Sequence, residues 1–315
     1  MTRIPEGVGW TALLTAYGRA QESRAAAKLF NDPLASMFIA AVTDAGVSNG
    51  GRLPRLGPAT DDGSSALWNA FRFYFCERTP FYDQRVLRAV EDGCRQVVLV
   101  AAGLDSRAFR LGLPENATVY EIDQAAVLGF KQAVLDRHDV VPTCQRVPVH
   151  VDLLDSWAPA LLAAGFDVTR PAIWIAEGLL MYLSSSDAEQ LLATITALSA
   201  PGSRFVGEYF SGPWQESDVE TSDEQERAAW DLVRQAFLYG PAGVGPAAWL
   251  VDHGWTPGQV TTITELGSGR SGHAPVEFAR ASAPRVWLFD GTLRPDHAGP
   301  RATAIRPGGC VPEGR

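Results

Sequence analysis

The stretch Gln96-Val-Val-Leu-Val-Ala-Ala-Gly-Leu-Asp-Ser-Arg-Ala-Phe-Arg-Leu111 decides the fold class of this chain. A continuous apolar run ends in small residues and a glycine, and a segment that can begin a helix follows. This pattern is typical of a buried parallel strand and a tight turn at which a ligand can approach the backbone. A second predicted strand, Thr118-Val-Tyr-Glu-Ile-Asp123, ends in an acid about twenty residues beyond the turn, where such folds hold the ribose hydroxyls of a nucleoside cofactor.

The turn after the first strand lacks the pattern G-x-G-x-x-G that dinucleotide-binding proteins use. It reads Ala101-Ala-Gly-Leu-Asp-Ser-Arg107, with one glycine and an acid two residues later. A pyrophosphate needs backbone N–H groups and no adjacent negative charge, so Asp105 disfavours NAD. The acid suits a ligand with an amino or sulfonium group, such as S-adenosylmethionine. A plain strand–helix turn is the alternative interpretation.

Composition excludes several classes of protein. The 315 residues, 46% of them apolar, can bury one large core or two modest ones. No apolar run is long enough to span a membrane, and the N-terminus lacks the layout of a signal peptide. A formal charge of −9 argues against nucleic acid or an anionic membrane as the main partner. The four cysteines and five histidines show no metal-ligand spacing, so we expect no metal site, free thiols and a cytoplasmic location.

Apolar runs that alternate with helical patterns predict an α/β fold, with a mostly parallel sheet of seven strands and helices on both faces. After the first two strands, further strands are expected at 145–151, 172–176, 203–210, 259–265 and 285–290. The last two have no strong helix between them and can close the sheet as an antiparallel pair. Helices are expected at 11–29, 33–42, 64–77, 124–137, 187–198 and 223–238.

The expected organisation is a single domain over residues 1–290, followed by a tail rich in Gly, Pro and Arg over 291–315. Within the domain we expect a helical N-terminal cap over 1–90, a cofactor-binding core over 91–210, an insertion over 211–245 and C-terminal strands over 246–290. Because the insertion lies between the fifth and sixth strands, it falls beyond the carboxyl edge of the sheet, where ligands bind. We expect a lid over a substrate cleft, and the alternative is a solvated surface helix.

Six parts of the chain, in order, carry a resemblance to a known family. They are Ala20-Gln-Glu-Ser-Arg24 with Phe30-Asn-Asp-Pro-Leu-Ala35, Arg78-Thr-Pro-Phe-Tyr-Asp83, the stretch 96–111, Val119-Tyr-Glu-Ile-Asp-Gln124, Val151-Asp-Leu153 and Ala176-Glu-Gly-Leu-Leu-Met-Tyr-Leu183. Together they resemble the leucine carboxyl methyltransferase-like family of class I S-adenosylmethionine-dependent methyltransferases, especially its actinobacterial branch and the polyketide carboxyl O-methyltransferases. The resemblance implies a Rossmann-like fold, S-adenosyl-L-methionine as cofactor and O-methyl transfer in natural-product type metabolism. The last third of the chain matches mainly by strand pattern.

The resemblance also implies roles for matched residues. Arg78 would hold the methionine carboxylate of the cofactor, and its replacement by alanine is expected to leave folding largely intact. Asp105 would lie near the cofactor's amino group, and Glu177, an acid among apolar residues, would take its ammonium group as a partner. Asp123 would bind the ribose hydroxyls in preference to Glu121. The expected cofactor-binding residues are Arg78, Ala102, Gly103, Asp105, Asp123, Gln124, Asp152, Leu153, Glu177 and Gly178, with Asp152 and Leu153 flanking the adenine. Ala101 departs from the family, which usually has glycine there.

The chemistry of methyl transfer bears on the acceptor. Transfer from a sulfonium to an oxygen is an in-line displacement, to which the enzyme contributes mainly alignment and proximity. A carboxylate is already ionised at neutral pH, whereas a phenol or alcohol needs a general base. No histidine falls in a catalytic motif, which favours a carboxylate of a small molecule or peptide and assigns no catalytic residue. Tyr182 and Tyr209, at the ends of the fourth and fifth strands, are candidates for the acceptor pocket.

Two other functions compete with methyl transfer. A short-chain oxidoreductase that uses a nicotinamide cofactor needs a Tyr-x-x-x-Lys pair, and none of the seven tyrosines has a lysine four residues on. A module that binds the cofactor without catalysis remains an alternative, and Ala101 is compatible with it. The identity of the acceptor and the oligomeric state have no signature in the sequence.

Overall fold

A seven-stranded sheet forms the centre of the computed structural model, which describes residues 8–44, 53–241, 243–270 and 274–297. The strands are β1 (Gln96–Val100), β2 (Thr118–Asp123), β3 (Gln145–His150), β4 (Ala172–Ala176), β5 (Arg204–Phe210), β6 (Trp255–Thr262) and β7 (Val286–Leu293). Their order is β3-β2-β1-β4-β5-β7-β6, with β1 to β5 parallel and β7 antiparallel to both β5 and β6. The predicted sheet is therefore confirmed. Its order reverses between β1 and β4, which opens a crevice at the carboxyl ends of these strands.

Helices cover both faces of the sheet, as predicted. They are α1 (Val8–Arg24), α2 (Pro33–Asp44), α3 (Ala66–Glu91), α4 (Arg107–Arg110), α5 (Ala125–Arg137), α6 (Ala158–Ala163), α7 (Ser185–Ala197), α8 (Glu224–Gln235), α9 (Pro246–Asp252), α10 (Ile263–Arg270) and α11 (Val276–Ala279). Because side chains alternate along a strand, Val97 and Leu99 of β1 pack in the apolar cluster with α3, and Val98 and Val100 pack in the cluster with α7 and α9. Within the described ranges, no helix combines the length and apolar character that crossing a membrane requires.

Helix α3 is longer than the sequence predicts. The expected helix covers residues 64–77, and a proline such as Pro80 is ordinarily unfavourable in a helix interior. The observed helix passes through Pro80 and ends at Glu91. Its second half is retained by packing, since Phe81, Tyr82 and Val86 are almost fully buried. As a result Arg78 lies in the middle of a helix against the sheet.

The C-terminal part of the sheet differs from the prediction in three ways. Two helices, α10 and α11, lie between β6 and β7, where no strong helix was expected. Strand β6 begins at Trp255, ahead of the predicted start at 259, and its pairing with β7 shifts register between Pro257 and Val260. The irregular Pro-Gly pair inside the strand explains why its first half was missed. Strand β7 continues to Leu293, beyond the expected start of the tail.

The insertion at 211–245 packs over the carboxyl edge of the sheet. The N–H groups of Leu238 and Tyr239 donate to the carbonyl of Met181 at 2.8 and 2.9 Å. Trp214 and Trp230 are each 5% exposed and belong to the same apolar cluster as α3. A solvated surface helix would not bury these side chains. The insertion covers the crevice, as the sequence predicts of a lid.

Candidate functional site

A cavity of about 300 Å³ lies at the carboxyl ends of the parallel strands. The turns after β1, β2, β3 and β4 form one part of its wall, because parallel strands present their carboxyl ends at the same edge. Helices α1 and α3, the end of β5, the insertion and α11 contribute much of the remaining wall. All ten residues expected to bind the cofactor line this cavity: Arg78, Ala102, Gly103, Asp105, Asp123, Gln124, Asp152, Leu153, Glu177 and Gly178. We call this part of the wall the cofactor end.

The turn after β1 is fixed by the acid at the end of β2. The N–H of Gly103 donates to Asp123 Oδ2 at 2.6 Å, and the N–H of Gln124 donates to Asp123 Oδ1 at 2.7 Å. Burial raises the pKa of Asp123, although these two hydrogen bonds oppose the rise. Each carboxylate oxygen has a further lone pair, so the carboxylate can accept hydrogen bonds from a pair of ligand hydroxyls.

Ala101 and Gly103 both have left-handed backbone conformations, with φ of 56° and 51°. This region is unfavourable for residues with a Cβ, which explains a preference for glycine at position 101. Because Ala101 has a Cβ in this conformation, its backbone is locally strained. Its methyl group packs at the edge of the apolar cluster on the α7 face.

Farther along the turn, Asp105 is held by Arg107. Its carboxylate accepts from the Arg107 backbone N–H at 2.7 Å and forms a short ion pair with the Arg107 guanidinium. Burial alone would raise the pKa of Asp105, but the positive charge of Arg107 holds it below the usual range. Sequence reasoning missed Arg107, although it lies within the quoted turn. The carboxylate that we expected beside the cofactor's amino group is thus bound to a side chain of its own turn.

A buried ionic network connects α3 to the ends of β4 and β5. Arg78 lies 3.2 Å from Glu177 (Nε to Oε1) and 2.6 Å from Glu208 (Nη1 to Oε1). Arg107 Nη2 lies 2.7 Å from the other oxygen of Glu177. The charges of Arg107 and Arg78 overcome the effect of burial and lower the pKa of Glu177. Glu177 therefore has two cationic partners within the chain, and the argument that its buried charge needs the cofactor's ammonium group does not hold.

Glu208 on β5 is a residue of this network that sequence reasoning missed. Its side chain is fully buried, and Oε1 accepts from Arg78, from the Tyr74 hydroxyl at 2.9 Å and from the Gly178 N–H at 2.8 Å. Oε2 has no hydrogen-bond partner. Burial raises the pKa of Glu208 to about 7, against the opposing charge of Arg78. An acid inside the apolar strand Phe-Val-Gly-Glu-Tyr-Phe was the available signal.

The two tyrosines expected in the acceptor pocket lie on different sides of the sheet. Tyr182 lines the cavity, and its ring packs against Phe237 with centroids 5.1 Å apart. The prediction for Tyr209 is wrong. Its side chain is fully buried on the other face, where its ring packs against Phe289 and its hydroxyl donates to the Val244 carbonyl. Because side chains alternate along β5, Phe210 faces the cavity and Tyr209 faces away.

Beyond the cofactor end the cavity wall is aromatic. The side chains are contributed by α3, β5, the insertion and α11: Phe71, Phe210, Trp214, Trp230, Phe237 and Phe278. One carboxylate, that of Glu277, lines this part of the wall as the structure describes it. We call it the acceptor end. Its residues are far apart in sequence and share no motif, so no sequence pattern predicts that they line one cavity. Nor does any cluster of potential metal ligands occur in the described ranges.

Known proteins are similar to this chain over most of its length. The family model described as leucine carboxyl methyltransferase matches residues 12–196. A Parafrankia sp. (strain EAN1pec) protein, named among the S-adenosyl-L-methionine-dependent methyltransferases, is 42% identical over 285 residues, 89% of this chain and 88% of its own. A similarly named Mycobacterium tuberculosis (strain ATCC 25177 / H37Ra) protein is 41% identical over 294 residues, 92% and 93% of the two chains. The structure of a DUF574 family protein from Streptomyces avermitilis aligns with a TM-score of 0.52 at 15% identity, over 90% and 97% of the two chains. That likeness supports the fold.

Proposed function

The chain belongs to the leucine carboxyl methyltransferase family of S-adenosyl-L-methionine-dependent methyltransferases, and from this premise we propose that it methylates a carboxylate oxygen of a small molecule or peptide. Its cofactor is S-adenosyl-L-methionine, and its reaction is methyl transfer. The family assignment removes NAD-dependent oxidation and a module without catalysis as competing functions. The family's own name supports a carboxylate as the acceptor.

The observation that supports the proposal is the contrast between the polar cofactor end and the aromatic acceptor end of the cavity wall. The ten residues of the cofactor end adjoin a wall of aromatic side chains, which can exclude water and hold an apolar acceptor in line with the methyl donor. Nothing in the described part of that wall is a histidine. An acceptor that is already ionised needs no group to remove a proton, so a carboxylate suits this wall.

The cofactor, when bound, supplies the electrophilic methyl group. We propose that Asp123 accepts hydrogen bonds from its ribose hydroxyls, and that Gln124, Asp152 and Leu153 flank its adenine. The Gln124 amide donates to Asp152 Oδ2 at 2.8 Å, which fixes both side chains relative to each other. The expected role of Arg78 toward the methionine carboxylate stays a proposal, since the guanidinium lines the cavity while it binds Glu177 and Glu208.

Gly178, in the turn after β4, has a left-handed φ of 66°. A Cβ there would lie 3.1 Å from Arg78 Nη2, so the glycine lets the arginine approach the turn. We propose that this turn, with Ala102, Gly103, Asp105 and Glu177, surrounds the amino-acid part of the cofactor. These groups bind and orient, and none is assigned a proton transfer.

A single product analysis tests the carboxylate proposal. The enzyme is incubated with methyl-labelled S-adenosylmethionine, a panel of apolar carboxylic acids and the matching phenols and alcohols. Methyl esters release labelled methanol in dilute hydroxide, whereas methyl ethers retain the label. We expect the label to be base-labile and to appear only with the acids. A base-stable product formed from the phenols or alcohols would contradict the proposal.

A phenol or alcohol is the second candidate acceptor, and Glu277 is the observation that favours it. Its carboxylate is buried at the acceptor end and could accept a proton from a hydroxyl group. The same product analysis separates the two acceptors, because only the ether survives hydroxide.

The setting and the division of the chain remain proposals. Free thiols at Cys76, Cys94 and Cys144 support a cytoplasmic location. A role in metabolism of natural-product type is proposed from the family resemblance. We propose that the segments predicted as cap, core, insertion and C-terminal strands act as one domain over residues 1–290. Most of the tail that we expected at 291–315 lies outside the described residues.

A further inference from the structure

Glu277 is unlike every other acid in the cavity wall. It lies on the short helix α11, is 5% exposed and lines the acceptor end. Within the described ranges its carboxylate makes no hydrogen bond and no ion pair, whereas Asp105 and Glu177 are paired with arginines. Asp123 and Asp152 each accept a backbone N–H, from Gly103 and from Leu154.

An ionised carboxylate in such a place is costly. Removing it from water without a compensating partner is unfavourable by several kcal/mol, and proteins ordinarily pair or expose such groups. None of the four arginines of the cavity wall forms an ion pair with Glu277. Each is bound to an acid other than Glu277, with Arg19 on Asp32 and Arg110 on Asp83 in addition to the pairs of Arg78 and Arg107. Among the described residues no cation pairs with Glu277, so its carboxylate is available to whatever occupies the acceptor end.

The surroundings of Glu277 indicate which kind of partner fits. The neighbouring ring of Phe278 packs edge-on against Trp214 at 5.4 Å, and Trp214 packs against Trp230 at 6.1 Å. Aromatic faces carry partial negative charge and attract cations. A carboxylate beside a wall of such rings is complementary to a positively charged group, and it disfavours an anion at the same position.

We propose that Glu277 determines specificity by binding a protonated amino group of the methyl acceptor, so that the acceptor is an apolar or aromatic molecule that carries an amine. The amine would neutralise Glu277 and leave the oxygen to be methylated free for alignment. This inference rests on the proposed function only in that the acceptor occupies the acceptor end. It concerns binding, and it is therefore tested without turnover.

The test uses two probes of nearly equal shape, tryptamine and tryptophol, which differ in an ammonium group against a hydroxyl. Each is titrated by calorimetry into the enzyme saturated with S-adenosylhomocysteine, which prevents methyl transfer. We expect the wild-type protein to bind tryptamine about tenfold or more tightly than tryptophol, as for a charge-assisted contact. Glu277→Gln should abolish this preference, and Glu277→Asp should retain part of it.

The matched control is Glu220→Gln, which removes an exposed acid of the insertion outside the cavity wall and should leave the preference unchanged. Because Glu277 lacks a partner, Glu277→Gln should unfold at the same temperature as the wild type or at a higher one. Equal binding of the two probes to the wild type would overturn the proposal, as would a preference that survives in Glu277→Gln. If Glu277→Gln no longer methylates hydroxyl acceptors but binds tryptamine as the wild type does, Glu277 acts as a base. That result would also overturn the proposal.

Discussion

The two ends of the cavity are built in opposite ways. The cofactor end is a network of buried charges in which Arg78 and Arg107 both contact Glu177. The acceptor end is aromatic, and its one described acid, Glu277, has no partner among the residues that the structure describes. The cofactor end comes from turns that follow adjacent parallel strands, whereas the acceptor end combines α3, β5, the insertion and α11.

The difference separates binding of the cofactor, which is the constant part of the reaction, from binding of the acceptor, which is the variable part. Paired charges need several partners at fixed distances, so a change in one side chain disturbs the others. Apolar walls tolerate substitutions that conserve volume, and a new acceptor can be fitted by changing individual rings. The cofactor end is thus suited to one ligand, and the acceptor end to variation among relatives.

The largest effect is expected from breaking the charged network. Arg78→Ala leaves Glu208 and Glu177 buried without their shared cation, and should lower the unfolding free energy by about 3–5 kcal/mol. The buried ion pairs thus predict a larger loss of stability than the sequence alone, from which folding was expected to be largely preserved. Chemical denaturation measures the loss. Arg72→Ala on the same helix, whose side chain is 53% exposed, is the control and should cost under about 1 kcal/mol. Equal losses in the two variants would show that the network does not stabilise the fold.

A pH effect sharpens the view of the same network. The pKa of Glu208 is raised by burial to about 7 from the ordinary 4.5. Between these values the folded protein holds a proton that the unfolded chain releases, so the unfolding free energy falls as pH rises. Between about pH 5 and pH 8, the unfolding free energy of the wild type should fall by about 1–3 kcal/mol more than that of Glu208→Gln. Parallel pH profiles for the two proteins would contradict the raised pKa.

The smallest effects concern the two left-handed residues of the turn. Ala101→Gly relieves backbone strain but adds entropy to the unfolded chain, so the unfolding free energy should change by less than about 1 kcal/mol. Gly103→Ala introduces strain and places a Cβ 3.3 Å from that of Ala12. It should cost about 1–2 kcal/mol and weaken S-adenosylhomocysteine binding. Thermal unfolding and calorimetry provide the readouts, and a harmless Gly103→Ala would mean that the turn adapts freely.

The same division explains what could be predicted from the sequence. Local patterns predict the strands and therefore the turns at one edge of the sheet, whereas the ten expected cofactor residues came from the family resemblance. All ten line one cavity, with Arg78 contributed by α3 and the others by the ends of β1 to β4. Glu208 and Glu277 were missed because their importance depends on contacts between elements distant in the chain. The wrong prediction for Tyr209 was avoidable, because side chains alternate along β5 and Tyr209 therefore faces away from the side that Phe210 faces. The length of α3 was underestimated because packing against the sheet retains the helix through Pro80.

One titration tests most directly that the cavity has two functionally separate ends. S-adenosylhomocysteine is titrated into the wild type, Asp123→Ala at the cofactor end and Phe237→Ala at the acceptor end. Asp123→Ala should weaken binding roughly 10–100-fold, because it removes a charged hydrogen-bond acceptor. Phe237→Ala removes a half-buried ring that packs on Tyr182 and Phe210, and should leave the affinity within about threefold. Equal weakening in the two variants, or full affinity in Asp123→Ala, would contradict the account.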